Sequence, residues 1–291
     1  MLARPIGVSS GLRVLGGLYQ QGASPATLFG AHHCPRMPHW TSMKTQAATS
    51  TIQAPADGNF YKYGLKPVLG KGIMDATLKR LGKVELKAME SSNFVKPQSV
   101  MYELDGKQRR WDMISSHSSV AVIIYHTERD ALLVVRQFRP PAYASAMKQH
   151  EAEGLPAPPL TVGFTYELCA GIIDKNKSLQ QIAAEEVKEE CGYEVSPDKL
   201  QWVTQYVSAV GTSGSRSDMF YVEVDESMRV NQGGGLEDTG ERIEVLALPL
   251  DESKGFTEDP NYPKSAGLLF GLMWLRARIG AQKALPASSI V

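Results

Sequence analysis

The stretch that decides the reading of this chain is Gly171 to Val195, GIIDKNKSLQQIAAEEVKEECGYEV. A polar run from Asp174 to Lys177 leads to Ser178, a side chain suited to cap a helix, and from there each residue advances ~100° around the axis. At that pitch Leu179, Ile182, Ala183, Val187 and Cys191 fall on one apolar stripe, with Lys177, Gln181, Glu185 and Lys188 opposite. Glu186 and Glu190, one turn apart, lie inside the stripe, and Glu189 sits just beyond its edge. Carboxylates therefore stand on or beside the face that should be buried. An ionised carboxylate removed from water without a partner costs several kcal/mol, and neighbours of like sign add repulsion. The basic residue inside the helix, Lys188, points away, so a divalent cation is the partner the pattern asks for. Hard ions such as Mg²⁺ take oxygen ligands and join carboxylates to phosphates. A solvated acidic helix end is the plainer alternative that these residues leave open.

The bulk of the chain narrows the classes. With 291 residues, 43% hydrophobic and 21% charged, it can bury a core in one or two domains. Lys plus Arg equals Asp plus Glu at 31 each, so the balance points to neither a nucleic-acid nor a membrane partner. Cys34, Cys169 and Cys191 make no even framework and no C-x-x-C spacing, which argues against a disulfide scaffold or a zinc site. No run of 18 or more apolar residues is present to span a membrane. Residues 1–56 hold no Asp or Glu, where an even spread of the 31 acids would put about 6. They carry Arg4, Arg13, Arg36 and Lys44 among many small and hydroxyl residues, a composition that resembles an organelle transit peptide. A disordered tail, or a true start at Met43, remains open. The expected location is the cytoplasm, or a mitochondrion or plastid if the leader is a transit peptide.

Outward from the helix, folded sequence is expected from around Lys83. Val84 to Met89 and Ser99 to Leu104 read as strands, and Asp105-Gly106 reads as the turn of a hairpin into Lys107 to Trp111. SVAVIIY (Ser119 to Tyr125) and ALLVVRQF (Ala131 to Phe138) read as buried strands, the second stopped by Pro140-Pro141. Ala142 to Pro159 reads as an inserted loop. Thr161 to Ala170, Leu200 to Val210, Phe220 to Val224 and Ile243 to Leu248 follow as strands, and Lys264 to Ile279 as a closing helix. Trp111 can stack on a base or serve as a core or interface ring. Arg136 and Arg139 are planar forks suited to phosphate oxygens, or solvated edge residues. Glu237 and Glu241, in the loop QGGGLEDTGE, can supply a general base or simply face solvent.

Gly171 followed by Glu186-Val187-x-Glu189-Glu190-x-Gly192-Tyr193 resembles the Nudix box, G-x5-E-x7-R-E-U-x-E-E-x-G-U with U apolar, without a gap. Two positions depart from it: Lys177 stands for the first Glu and Glu185 for the Arg. The signs are exchanged, so a reversed Lys177/Glu185 ion pair can replace the usual one, or the two charges are independently solvated. VVRQFRPP, TYELCAG, GTSGSR (Gly211 to Arg216) and GGGLEDTGE follow the order seen in UDP-glucose pyrophosphatase-like members. The resemblance covers residues 108–280 and implies an α/β fold, a Nudix-type α/β/α sandwich with a mixed sheet. It leaves residues 1–56 as an extension, 57–107 as a lead-in with N-terminal antiparallel strands, and 281–291 as a tail.

The resemblance implies a hydrolase dependent on Mg²⁺, with Mn²⁺ as the alternative ion. Its substrate would be a small-molecule nucleotide sugar, most simply UDP-glucose cleaved to UMP and glucose 1-phosphate. It implies Glu186 and Glu190 as principal metal ligands, Glu189 as a further ligand or orienting group, and the Ala170 carbonyl as another. Glu167 would meet substrate or metal-held water, Arg136 or Arg139 the pyrophosphate, and Trp111 and Arg216 the rest of the substrate. The base stays undecided among Glu237, Glu241 and metal-activated water. A homodimer is expected by analogy. ADP-ribose hydrolysis is one alternative, and a catalytically weak module that binds a nucleotide sugar or a protein is another.

Overall fold

A computed structural model describes residues 59–68, 72–92, 95–236 and 240–284 of the chain. In chain order the main elements begin with β1 (Lys66–Pro67), α1 (Ile73–Arg80), β2 (Lys96–Leu104), β3 (Lys107–Ser115), β4 (Ser119–His126) and β5 (Ala131–Phe138). There follow α2 (Pro140–Ala152), β6 (Phe164–Glu167), β7 (Cys169–Ile172), α3 (Leu179–Glu186), β8 (Gln201–Val207) and β9 (Arg216–Val224). β10 (Glu244–Pro249), α4 (Ser253–Glu258) and α5 (Ala266–Ala284) close the described chain. One eight-stranded sheet runs β1-β10-β5-β4-β9-β8, with β6 beside β5 and β7 beside β4. β4 is parallel to β9 and antiparallel to β5 and β7, so the sheet is mixed.

The unbroken apolar run of β4 reflects burial on both faces. Val120, Val122 and Ile124 join Ile182, Ala183, Val187 and Cys191 of the helical segment 179–191 on one side. Ala121, Ile123 and Tyr125 join Leu268, Leu272 and Leu275 of α5 on the other. Alternation at period two thus feeds two helical layers from one strand, and the α/β/α sandwich expected from the sequence is the architecture found. The Asp105-Gly106 turn also forms as read: φ is 54° at Asp105 and 69° at Gly106, the left-handed pair a two-residue hairpin needs.

Several expectations are corrected. Residues 142–159 are not an inserted loop throughout, because α2 occupies 140–152. Pro140 and Pro141 end the strand but also start a helix, since the first turn has no intrahelical partner for the missing N–H. Order does not begin at Lys83: residues 59–68 pack on the sheet through β1, and α1 follows. Val84 to Met89 forms no strand. Thr161 to Ala170 divides at Leu168 into β6 on β5 and β7 on β4. The expected extension over 1–56 lies outside the described residues.

Candidate active site

Ser178 caps α3 as its sequence suggests, its Oγ accepting from the Gln181 backbone N–H at 3.2 Å while the Gln181 side chain accepts from the Ser178 N–H at 2.9 Å. Beyond Glu186 the helix widens into a π turn, Val187–Cys191, and stops at Gly192, whose φ of 81° suits a residue without a side chain. Ile182, Ala183, Val187 and Cys191 are buried against the sheet. Glu190 is buried among them at 4% exposure. Its Oε2 accepts from the Ala170 N–H on β7 at 3.0 Å. The Glu186 carboxylate lies against Gly171, where a Cβ would overlap it, so the box's first glycine makes room for Glu186.

The electrostatics follow from this crowding. Burial, with repulsion from Glu186 and Glu241 behind it, pushes Glu190 up to about 8. Burial and then the Glu189 charge push Glu186 up to about 7. Glu189 is also raised, by burial first and Glu241 next, while the Lys175 ammonium acts in the opposite sense on both Glu186 and Glu189. Glu185 points away and pairs with Lys177, as the exchanged signs suggested, and with Lys175 at 3.4 Å. Lys175 was not singled out by sequence; its place in the polar run before the cap is the signal that could have found it.

Among the described residues no three carboxylate, thiol or imidazole groups close around a point as a ready metal cage. The donor set is nonetheless one of hard oxygens that repel one another and gain from a divalent cation, and Mg²⁺ keeps several of its waters when bound. Cys169 and Cys191, in contact with each other beside Glu190, are free and buried, and burial raises the Cys169 thiol well above its ordinary range.

The glycine-rich loop has a role that sequence reading missed. Gly234 N–H donates to the Glu190 carbonyl at 2.8 Å, Gly235 N–H to that of Glu189 at 3.3 Å, and the Asn231 side chain to that of Lys188 at 3.2 Å. The loop therefore satisfies the open carbonyls at the end of the glutamate helix. It also sets Glu241, whose Oε2 accepts from Leu236 N–H at 3.2 Å, within electrostatic reach of Glu186, Glu189 and Glu190. Glu237 lies outside the described residues.

Arg139 and Glu167 form a two-point ion pair with both contacts at 2.8 Å, on the face of the sheet that carries Val135 and the glutamate helix. Glu167 is held below the usual carboxyl range by Arg139 against the opposing effect of burial, which is the larger single influence. Arg136 departs from expectation. Its neighbours Leu132 and Val134 face the opposite layer, and Arg136 follows them to 1% exposure, paired with Glu244 and donating to Tyr166 Oη at 3.0 Å and the Phe60 carbonyl at 3.1 Å. Strand alternation thus puts Arg136 behind the sheet from the carboxylates, leaving Arg139 as the arginine beside them.

Trp111 is 55% exposed and donates its indole N–H to the Gly211 carbonyl at 3.0 Å. The hairpin and the 211–214 turn thereby border an open apolar cavity of about 300 Å³ lined by Val100, Tyr102, Trp111, Met113 and Val210. None of the helix carboxylates lines it. Arg216 is exposed at the start of β9, its N–H donating to Ser118 Oγ at 3.3 Å.

A mixed sheet between helical layers, with one buried and two partly buried glutamates on the helix that follows the Gly171 strand, matches the Nudix class of hydrolases. No protein-family model matches the chain. It is 39% identical over 210 residues to the uridine diphosphate glucose pyrophosphatase NUDT14 of Bos taurus, covering 68% of this chain and 95% of that one. It is 35% identical over 215 residues to the protein of that name from Mus musculus, covering 69% and 97%. A GDP-mannose pyrophosphatase of Cronobacter sakazakii is 29% identical over 168 residues, covering 56% and 78%. A solved ADP compounds hydrolase superposes with a TM-score of 0.50 at 18% identity, over 68% of this chain and 94% of that one, and shares the fold. The chain belongs to the Nudix hydrolases, in the family of the uridine diphosphate glucose pyrophosphatases. No helix among the described residues is long and apolar enough to cross a membrane.

Proposed function

We infer that this chain hydrolyses the pyrophosphate bond of a nucleoside-diphosphate sugar, with UDP-glucose as the first substrate to test and UMP and glucose 1-phosphate as the products. The observation that carries the reading is Glu190, a carboxylate 4% exposed with Glu186, Glu189 and Glu241 acting on or beside it and no arginine or lysine among the described residues paired to it. Glu186 and Glu190 would hold Mg²⁺, with Glu189 and the Ala170 carbonyl completing the protein's share. Bound there, the ion would neutralise charge on the two phosphates and make a water more acidic. Arg139, its Nε and Nη2 held by Glu167, would offer its remaining Nη1 to a phosphate oxygen. Glu241, carried by the loop that caps the glutamate helix, would accept a proton from the attacking water. The half-exposed face of Trp111 supports stacking on the nucleobase, and Arg216 is kept as a substrate contact from the neighbouring turn.

Release of UMP from a panel of UDP-sugars, and of AMP from ADP-ribose, with and without Mg²⁺, tests the reading. UMP release that needs the metal supports it. Preference for ADP-ribose would change the substrate, and no turnover of any member would leave a binding module. The hairpin exposes Val100, Tyr102, Leu104 and Trp111 at 40% or more, which supports the homodimer expected by analogy. Sedimentation of the wild type against Leu104→Glu tests it, with a monomeric wild type as the result that ends it.

A further inference from the structure

The carboxylate ridge adjoins a cavity of about 530 Å³ built from three distant parts of the chain. The end of α1 contributes Thr77 and Arg80, the end of β5 contributes Phe138 and Arg139, and the residues leading into β10 contribute Glu241 and Arg242. Lys83 also lines it, so cations at Arg80, Lys83, Arg139 and Arg242 face the single carboxylate of Glu241. Arg139 is committed to Glu167, and Lys83 lies 2.6 Å from Glu85. Arg80 has neither an ion-pair nor a hydrogen-bond partner among the described residues. A second cavity of about 380 Å³ shares Thr77, Arg80, Glu241 and Arg242 and continues to the glycine loop that caps the glutamate helix. Arg80 therefore stands on the wall common to both spaces, across from the proposed base.

Arg80 is presented by a well-anchored helix. Met74 and Thr77 bury one side of α1, β1 pairs with β10, and Val68 N–H donates to the Val245 carbonyl at 2.9 Å. Tyr61 ties the same segment to Glu244 at 2.9 Å. The residues before Lys83, which the sequence left outside the fold, thus build one side of the cleft.

We propose that this cationic cavity receives the glycosyl-phosphate half of the substrate and that Arg80 is one of its contacts. The assignment rests on the hydrolase reading above. A guanidinium with no protein partner beside a reaction centre suits a phosphate oxygen, which it can hold through two N–H groups. The lining offers no exposed ring for a nucleobase: its aromatic residue, Phe138, is partly buried against Tyr143 and Phe164. The exposed indole of Trp111 lies instead in the hairpin cavity, which shares no residue with this lining. The volume is in the range of small-molecule sites, roughly 300–1,000 Å³.

The test uses the full chain with Mg²⁺ and the variants Arg80→Ala and Arg80→Lys. Arg80→Ala should raise KM for UDP-glucose and the inhibition constant of glucose 1-phosphate by roughly tenfold or more, the scale of a lost hydrogen bond to a charged group. The inhibition constant of UMP and the melting temperature should stay put, because Arg80 is exposed. Arg80→Lys should recover part of the loss. Unchanged constants in Arg80→Ala, or a rise for UMP instead of glucose 1-phosphate, would overturn the assignment. If the wild type cleaves no nucleotide sugar, the hydrolase reading fails by itself. Calorimetric titration of glucose 1-phosphate into wild type and Arg80→Ala then decides the cavity separately: equal binding, or none to either, refutes it.

Discussion

Replacing Glu190 with Gln should make the metal-free protein more stable and the enzyme nearly inactive. In the folded chain burial holds the carboxyl near 8, whereas in the unfolded chain it returns to about 4.5. A raised folded value means that this group's contribution is fully present below 4.5 and is lost as pH rises through 8. At 1.36 kcal/mol per pH unit the ionised group costs roughly 5 kcal/mol above pH 8 and roughly 3 kcal/mol at pH 7, as upper figures. Relaxation and water entry trim this, so Glu190→Gln should gain about 2–3 kcal/mol at pH 8 without metal. In melting temperature that is roughly 5–10 °C for a domain of this size. The glutamine oxygen can still accept from Ala170 N–H. The gain should shrink towards pH 5, and Mg²⁺ should narrow it by stabilising the wild type, by about 2.7 kcal/mol at a hundredfold excess over Kd. Turnover of UDP-glucose should fall by about 10³-fold, the equivalent of several kcal/mol of lost charge stabilisation. Melting curves from pH 5 to 8.5 with EDTA or Mg²⁺, together with kcat/KM, measure all of this. A variant that melts below the wild type at pH 8 in EDTA, or that stays within about tenfold of its activity, would refute the reasoning.

The two arginines of VVRQFRPP should separate cleanly. Arg136→Leu leaves Glu244 buried without its cation and should cost roughly 3–5 kcal/mol of stability in a denaturant titration, whereas Arg139→Ala should leave stability largely intact and raise KM. Gly171→Ala should displace the Glu186 carboxylate and lower kcat/KM by on the order of a hundredfold, with a near-normal circular dichroism spectrum; full activity would show that Glu186 can work from elsewhere. The partly exposed Lys177/Glu185 pair should yield a coupling of only about 0.5 kcal/mol in a double-mutant cycle, with the double charge swap milder than either single one. Additive single swaps would mean the pair contributes nothing.

What could be read in the sequence is what depends on periodicity. SVAVIIY shows an unbroken apolar run because β4 feeds both layers, and the wheel over 178–191 places Glu190 inside the buried stripe, where it is found at 4% exposure. The Asp-Gly turn and the Ser178 cap were legible because each is a local contract between side chain and backbone. Features set by distant partners were not. Arg136 and Arg139 look alike in VVRQFRPP; alternation sets them on opposite sides, but which side carries the glutamate helix is decided by the packing on the two faces of β5. The glycines of 233–235 read as a plain loop, yet the N–H groups of Gly234 and Gly235 meet helix carbonyls more than forty residues earlier in the chain. α1 is short and has no capping side chain, so it announces itself weakly. Its position depends on β1, a pairing of two residues with no pattern of its own.

The wide turn at Val187–Cys191 has a bearing on which lengths this segment can tolerate. An ordinary α-helix would bond more regularly, and dropping one residue there would look like an improvement on paper. Each residue removed swings everything after it by ~100°, which would carry the last glutamate out of its groove and break the fit between Gly192 and Asn231. Loops elsewhere can grow or shrink, but this stretch is fixed in residue count as firmly as in residue type, and a neater helix would be a poorer enzyme.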